Sequence, residues 1–214
     1  MEMFYSFFVF SLILSSSYAA VQDFCVADYR VPSGPAGYSC KRPENVKVND
    51  FVYSGLGNAG NTSNIYRSVL TKASYDEVPS LNGLGISIAR ADLAPGGAVP
   101  LHTHPGSNEI FLLVKGKLIA GFISSDTNTV YQTTIKSGDI FVIPGGLLHF
   151  FVNIGGAEDN PVVAFASYSS SSIHVQIVDD ALFKNNFPTE LINRTTLLSI
   201  SEIRRLKALF GGTK

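Results

Sequence analysis

The sequence predicts an all-β fold, a barrel or sandwich closed at its C-terminal end by short α-helices. Three observations predict it. From about Gly83 to Ile177, short apolar segments follow one another at strand density, broken by Gly, Pro, Asn and Asp. No helical segment interrupts that span. After Ile177 the period changes, and Ser199-Ile200-Ser201-Glu202 has the form of a capping box that opens a helix.

The N-terminus reads as a targeting segment. Phe4 to Leu14 is nearly all apolar, and Ser15, Ser16 and Ser17 follow. Ser17-Tyr18-Ala19 carries small residues where a signal peptidase reads, so residues 1–19 are expected to be a signal peptide. No Lys or Arg precedes the apolar run, which departs from the usual pattern. The run is shorter than the ~20 residues of a membrane span, so no transmembrane segment is expected. Residues 20–214 are read as a single secreted domain.

Cys25 and Cys40 follow closely. An even pair in a secreted chain reads as a disulfide, here around a segment rich in Pro and Gly. A loop of that size is worth about 3 kcal/mol in the entropic account. Asn61-Thr62-Ser63 and Asn193-Arg194-Thr195 are glycosylation sequons, which fit a secretory route.

Residues 20–60 read as an extended arm. The strands expected next are Gly85–Leu93, Glu109–Lys115, Lys117–Ser124, Val130–Ile135, Asp139–Ile143, His149–Asn153 and Val162–Ser169, with His102 and His104 on a further one. Asp179 to Phe183 could form one helical turn. Ile203–Phe210 is a short helix stopped by Gly211-Gly212, with Ile203, Leu206 and Phe210 on one face. Arg204, Arg205 and Lys207 lie off that stripe and read as its solvated side. The stripe must dock on its own barrel or on a neighbour's.

The chain carries 16 Lys+Arg against 17 Asp+Glu, a net charge of −1. Such a balance gives no pull toward nucleic acid or an anionic membrane. Charged residues are only 15% and hydrophobic ones 45%, with 15 Phe and 9 Tyr. That is ample material for a core and for buried subunit contacts.

The chemistry concentrates in Pro100-Leu101-His102-Thr103-His104-Pro105-Gly106-Ser107-Asn108-Glu109. Residues two apart on a strand point to the same side, so His102 and His104 project together into the barrel. Pro105-Gly106 breaks the strand, and Glu109 heads the next one. Glu109, Phe111 and Leu113 share a face, so the carboxylate heads an inward apolar row. A buried carboxylate is costly unless compensated, and a divalent cation compensates it. The fourth ligand is expected from a partner strand, from His149 after the Pro144-Gly145-Gly146 turn. Three imidazoles and a carboxylate without thiolate suit Mn, Fe, Ni, Cu or Zn. An octahedral ion would keep two open positions for water, superoxide or a small acid. His174, alone after Ser169–Ser172, reads as an ordinary histidine.

These residues match the two motifs of the cupin family: Gly96, His102, His104, Glu109 and Gly116 in the first, and Gly138, Pro144, Gly146, His149 and Asn153 in the second. Asp23-Phe24-Cys25-Val26-Ala27-Asp28, Gly55-Leu56-Gly57 and Ala94-Pro95-Gly96-Gly97 resemble plant germin-like proteins. Phe24 to Tyr29 and Ala181 to Asn185 resemble their auxin-binding-protein-like branch. The resemblance implies a cupin jelly-roll β-barrel and manganese on His102, His104, Glu109 and His149, which would be the catalytic centre. It also implies Cys25–Cys40 pairing, an apoplastic or cell-wall location, and a homohexamer built as a trimer of dimers.

Germins proper oxidise oxalate, and germin-like proteins are often superoxide dismutases. Two asparagines that help germins bind oxalate are replaced here by Ala89 and Val99. Each lost donor would cost about 1–3 kcal/mol if the contact is buried. Superoxide dismutation is therefore expected, with little oxalate oxidation. The alternatives are a non-enzymatic receptor for a weak acid such as auxin, and a structural wall glycoprotein. Ala89, Val99, Phe111 and Phe141 would suit the apolar lining of a weak-acid pocket.

Overall fold

The computed structural model describes residues 23–155 and 161–213, so the proposed signal peptide lies outside the described residues. Two five-stranded antiparallel sheets face one another as a jelly roll. One has the order β1 (Ser68–Ala73), β2 (Ser87–Leu93), β9 (Val162–Tyr168), β4 (Glu109–Lys115), β7 (Ile140–Ile143). The other has the order β10 (Gln176–Ile177), β3 (Ala98–Thr103), β8 (Leu148–Asn153), β5 (Lys117–Ile123), β6 (Val130–Lys136). Each expected strand is present within two residues of its expected ends. β1 and β10 are additional. β10 is only two residues long, and β1 mixes Lys72 and Thr71 into a weak alternation, so neither shows clearly in sequence.

Alternation builds the core. In β4, Glu109, Phe111 and Leu113 are buried, whereas Ile110, Leu112 and Val114 are exposed. Phe111 stacks on Phe151 of the opposite sheet, centroids 3.8 Å apart, and so joins the two sheets beneath the histidines. Phe141 is only partly buried.

The N-terminal arm is docked. Cys25 and Cys40 are bonded, and Ala27 pairs with Cys40. Val26 and Ala27 are buried, and Ala27 N–H donates to Pro79 O at 2.8 Å. The Asn82 side chain bridges the arm to the barrel, donating to Tyr38 O and accepting from Tyr38 N–H.

Three helices follow the barrel: α1 (Val178–Phe183), α2 (Thr189–Thr196) and α3 (Ile200–Phe210). Ser199 caps α3 by accepting from Glu202 N–H at 3.2 Å. The capping box is only half formed, because the Glu202 carboxylate takes both its bonds from Arg205. α2 was not expected. Its adjacent Thr195 and Thr196 are weak helix formers, and buried Ile192 holds it by packing. Phe183, Ile192 and Ile203 form a second small core, so the α3 stripe docks on its own chain. Lys207 corrects the expected solvated side. It is 1% exposed, and its ammonium donates to Asn185 O, Phe187 O and Thr213 O at 3.3, 2.6 and 2.8 Å. Among the described residues no helix is long and apolar enough to cross a membrane.

Candidate metal centre

Two turns aim the four candidate ligands. Gly106, with φ of 77°, reverses the chain between His104 and Glu109, and Gly146, with φ of 79°, does so before His149. Both lie in the left-handed region that glycine enters without a steric penalty. His102 in β3 then pairs directly with His149 in β8, ring centroids 4.0 Å apart. His104 lies one residue past the end of β3, and Glu109 heads β4 in the facing sheet. The site therefore spans both sheets rather than a single pair of strands.

The four side chains are buried at 1–2% exposure, and their candidate ligand atoms all lie within 4.8 Å of one another. A shell of backbone carbonyls orients the rings. Nδ1 of His102 meets Pro100 O at 2.8 Å, Nδ1 of His104 meets His174 O at 2.7 Å, and Nδ1 of His149 meets Leu147 O at 2.8 Å. A carbonyl only accepts, so each Nδ1 carries a hydrogen and each ring turns its Nε2 inward, where a metal ion would bind. His174 takes part through its backbone oxygen, a contribution no reading of side-chain types could reveal.

Burial, with the nearby His149 and His104 rings, pushes His102 down to about 3. Burial alone would raise Glu109, but its contacts with His104 and His149 outweigh it and hold the carboxyl at about 2. Glu109 Oε2 is 3.0 Å from His149 Nε2 and 3.2 Å from His104 Nε2. The His104 contact is not aligned as a hydrogen bond, so that buried nitrogen has no hydrogen-bond partner among the described residues. Three imidazole nitrogens and a carboxylate converge as the ligands of a single cation would. The donor set fits a divalent metal ion.

The low value of His102 has a consequence for stability. An unfolded chain takes up the proton near 6.5, whereas the folded chain resists it until about 3. The stability held above pH 6.5 is thus lost as pH falls through that window. The melting temperature of chelator-treated protein should decline between pH 6.5 and pH 4. A flat profile there would contradict a neutral, buried His102.

Beside the ligands, a cavity of about 400 Å³ opens between β1, β3 and α3, lined by Leu70, Val99, Ile173 and Phe210 and reaching His102 and His104. Of the four residues expected to line an apolar pocket, only Val99 lines this one. Ala89 and Phe111 are buried elsewhere in the core. Tyr168, which sequence reading passed over, packs its ring on His104, centroids 4.7 Å apart.

The family model described as Cupin matches residues 54–204, which contain all four candidate ligands and both sheets. The chain belongs to the cupin family. Its relatives place it among the germin-like and auxin-binding members. It is 60% identical to auxin-binding protein ABP19a of Prunus persica over 97% of each chain. It is 52% identical to a germin-like protein of Morus alba, again over 97% of each. A solved oxalate oxidase superposes with a TM-score of 0.84 at 34% identity, covering 89% of this cupin and 96% of that chain.

Of the two sequons, Asn61 is exposed in a loop, its Oδ1 accepting from Ser63 N–H. Asn193 lies in α2, and its amide donates to Leu198 O at 2.7 Å.

Proposed function

We propose that this cupin is a secreted, manganese-binding germin-like protein of the plant apoplast that dismutes superoxide and oxidises oxalate slowly if at all. The observation that carries the reading is the convergence of three Nε2 atoms and one carboxylate in a buried cage. His102, His104, His149 and Glu109 would hold the ion, which when bound supplies chemistry by changing oxidation state. Two superoxide ions and two protons would give one dioxygen and one hydrogen peroxide. Nitrogen and oxygen donors fit manganese, and its choice over other ions follows the germin resemblance.

The negative half rests on Ala89 in β2 and Val99 in β3. Both are buried, at 0% and 5% exposure, and neither can donate a side-chain hydrogen bond to a dianion. Metal analysis with superoxide and oxalate assays on one secreted sample tests the reading. Superoxide turnover with little oxalate turnover is expected. Ala89→Asn with Val99→Asn should raise oxalate turnover at unchanged metal content. Fast oxalate oxidation by the unmodified protein would defeat the pocket argument.

A second reading, binding of a weak acid such as auxin, draws on the cavity beside His102 and His104. Its apolar walls suit an aromatic ring, with the carboxylate toward the metal. The name of the Prunus persica relative is in keeping with it. Tight binding of such an acid by a metal-loaded protein that lacks superoxide activity would replace the enzymatic reading.

Assembly as a hexamer is supported by the outer face of β4 and β7. Ile110 lies beside Val142 and Leu112 beside Ile140, all exposed, with Val114 next to them on an edge of the sheet. An exposed aliphatic patch at a sheet edge is a contact surface in waiting. Light scattering at micromolar concentration should show the hexamer, and Ile110→Lys with Val142→Lys should break it into smaller species. A monomeric wild-type chain would refute the assembly. The disulfide fits an oxidising compartment. Asn61 is the better glycan site, since the Asn193 amide is already committed to Leu198.

A further inference from the structure

Tyr168 sits at the end of β9, directly opposite Glu109 in register, and both side chains are buried. Its ring packs edge-on against His104. The residue is 3% exposed, yet its hydroxyl has no partner among the described residues. A buried, unpaired hydroxyl costs about 1–3 kcal/mol, and such groups persist where something outside the chain completes them. Other hydroxyls near the site are committed: Ser68 to Ala98 O, Ser87 to Ser170 O and Ser107 to Asn108 O. Thr103 is also unpaired, but strand alternation turns it to the face of β3 opposite His102. A phenol hydroxyl can donate one hydrogen bond to an anion.

We infer that Tyr168 is a ligand-binding residue of the metal centre, its O–H donating to the outer atom of the small anion or water held there by the ion. The inference rests on the metal-centre reading above and narrows its ligand class. It favours short anions with an acceptor atom beyond the one facing the metal, superoxide among them.

The test is Tyr168→Phe, which keeps the ring and removes only the hydroxyl. Azide is titrated into metal-loaded wild type and variant and followed by electron paramagnetic resonance of the manganese. Metal content should be unchanged, the azide dissociation constant should rise about tenfold, and superoxide turnover should fall. The melting temperature without azide should stay level or rise, because an unpaired hydroxyl has been removed. A drop in melting temperature with unchanged azide affinity would make Tyr168 a purely structural residue and overturn the inference. Loss of metal from the variant would overturn it too. The outcomes separate the two claims. Weakened azide binding in a protein without superoxide activity retains Tyr168 and removes the dismutase. Full superoxide activity with unchanged azide affinity in the variant does the reverse.

Discussion

Protein carrying His102→Ala together with His104→Ala should contain no measurable metal, against about one ion per chain in the wild type. The two substitutions remove half of the donor set and leave only Glu109 and His149, from facing sheets, within reach of an ion. A carboxylate and one imidazole do not make a selective site, and each lost ligand lowers affinity steeply. The barrel itself should survive, since Phe111 on Phe151 and the surrounding aliphatic core lie below the site. The stabilisation that a bound ion gives the folded chain should vanish with it. Elemental analysis of secreted protein, with circular dichroism on the same sample, decides the matter. Full occupancy in a folded double variant would remove the proposed site altogether.

Lys207→Ala should cost about 4 kcal/mol of stability, and lower the melting temperature by about 10 °C in a chain of this size. The ammonium gathers three carbonyls from the segment after α1, from the residue before Pro188 and from the C-terminal tail. Removing it leaves those acceptors to find water in a place that is 1% exposed. Lys207→Met, which keeps the packing of the stem, should lose nearly as much, and that separates hydrogen bonding from volume. Thermal denaturation of both variants measures it. A loss below about 1 kcal/mol in both would show that the carbonyls are readily resolvated and that the lysine is dispensable.

Lys207 also shows where reading the sequence stops. On a helical projection it lies one turn after Ile203, on the flank of the apolar stripe and away from Arg205, so only its charged side chain argued for solvent. Burial depends on what lies across from that side of α3, which is the 185–187 loop and the tail. Tyr168 is a similar case. As one aromatic in a strand it reads as core, and only the register opposite Glu109 and the missing partner for its hydroxyl mark it out. The carbonyl of His174 contributes through the backbone, which carries no side-chain signal at all. α2 was missed because its threonines argue against a helix locally, while Ile192 and the second core argue for it globally.

By itself the sequence determined the strand periods, the turn glycines, the two cysteines and the four candidate ligand residues, because these are local patterns. A two-residue spacing puts side chains on one face, and a glycine permits a turn, wherever the strand ends up. Tertiary structure alone decided that the cage spans two facing sheets, that backbone oxygens hold the Nδ1 atoms of its three histidines, that Lys207 is internal and that the Tyr168 ring packs on His104. Those outcomes depend on which distant segments meet, here Pro100, Leu147 and His174 around three rings. Contacts between segments far apart in the chain are chosen by packing and hydrogen-bond satisfaction across the whole barrel, and no window of sequence contains both partners.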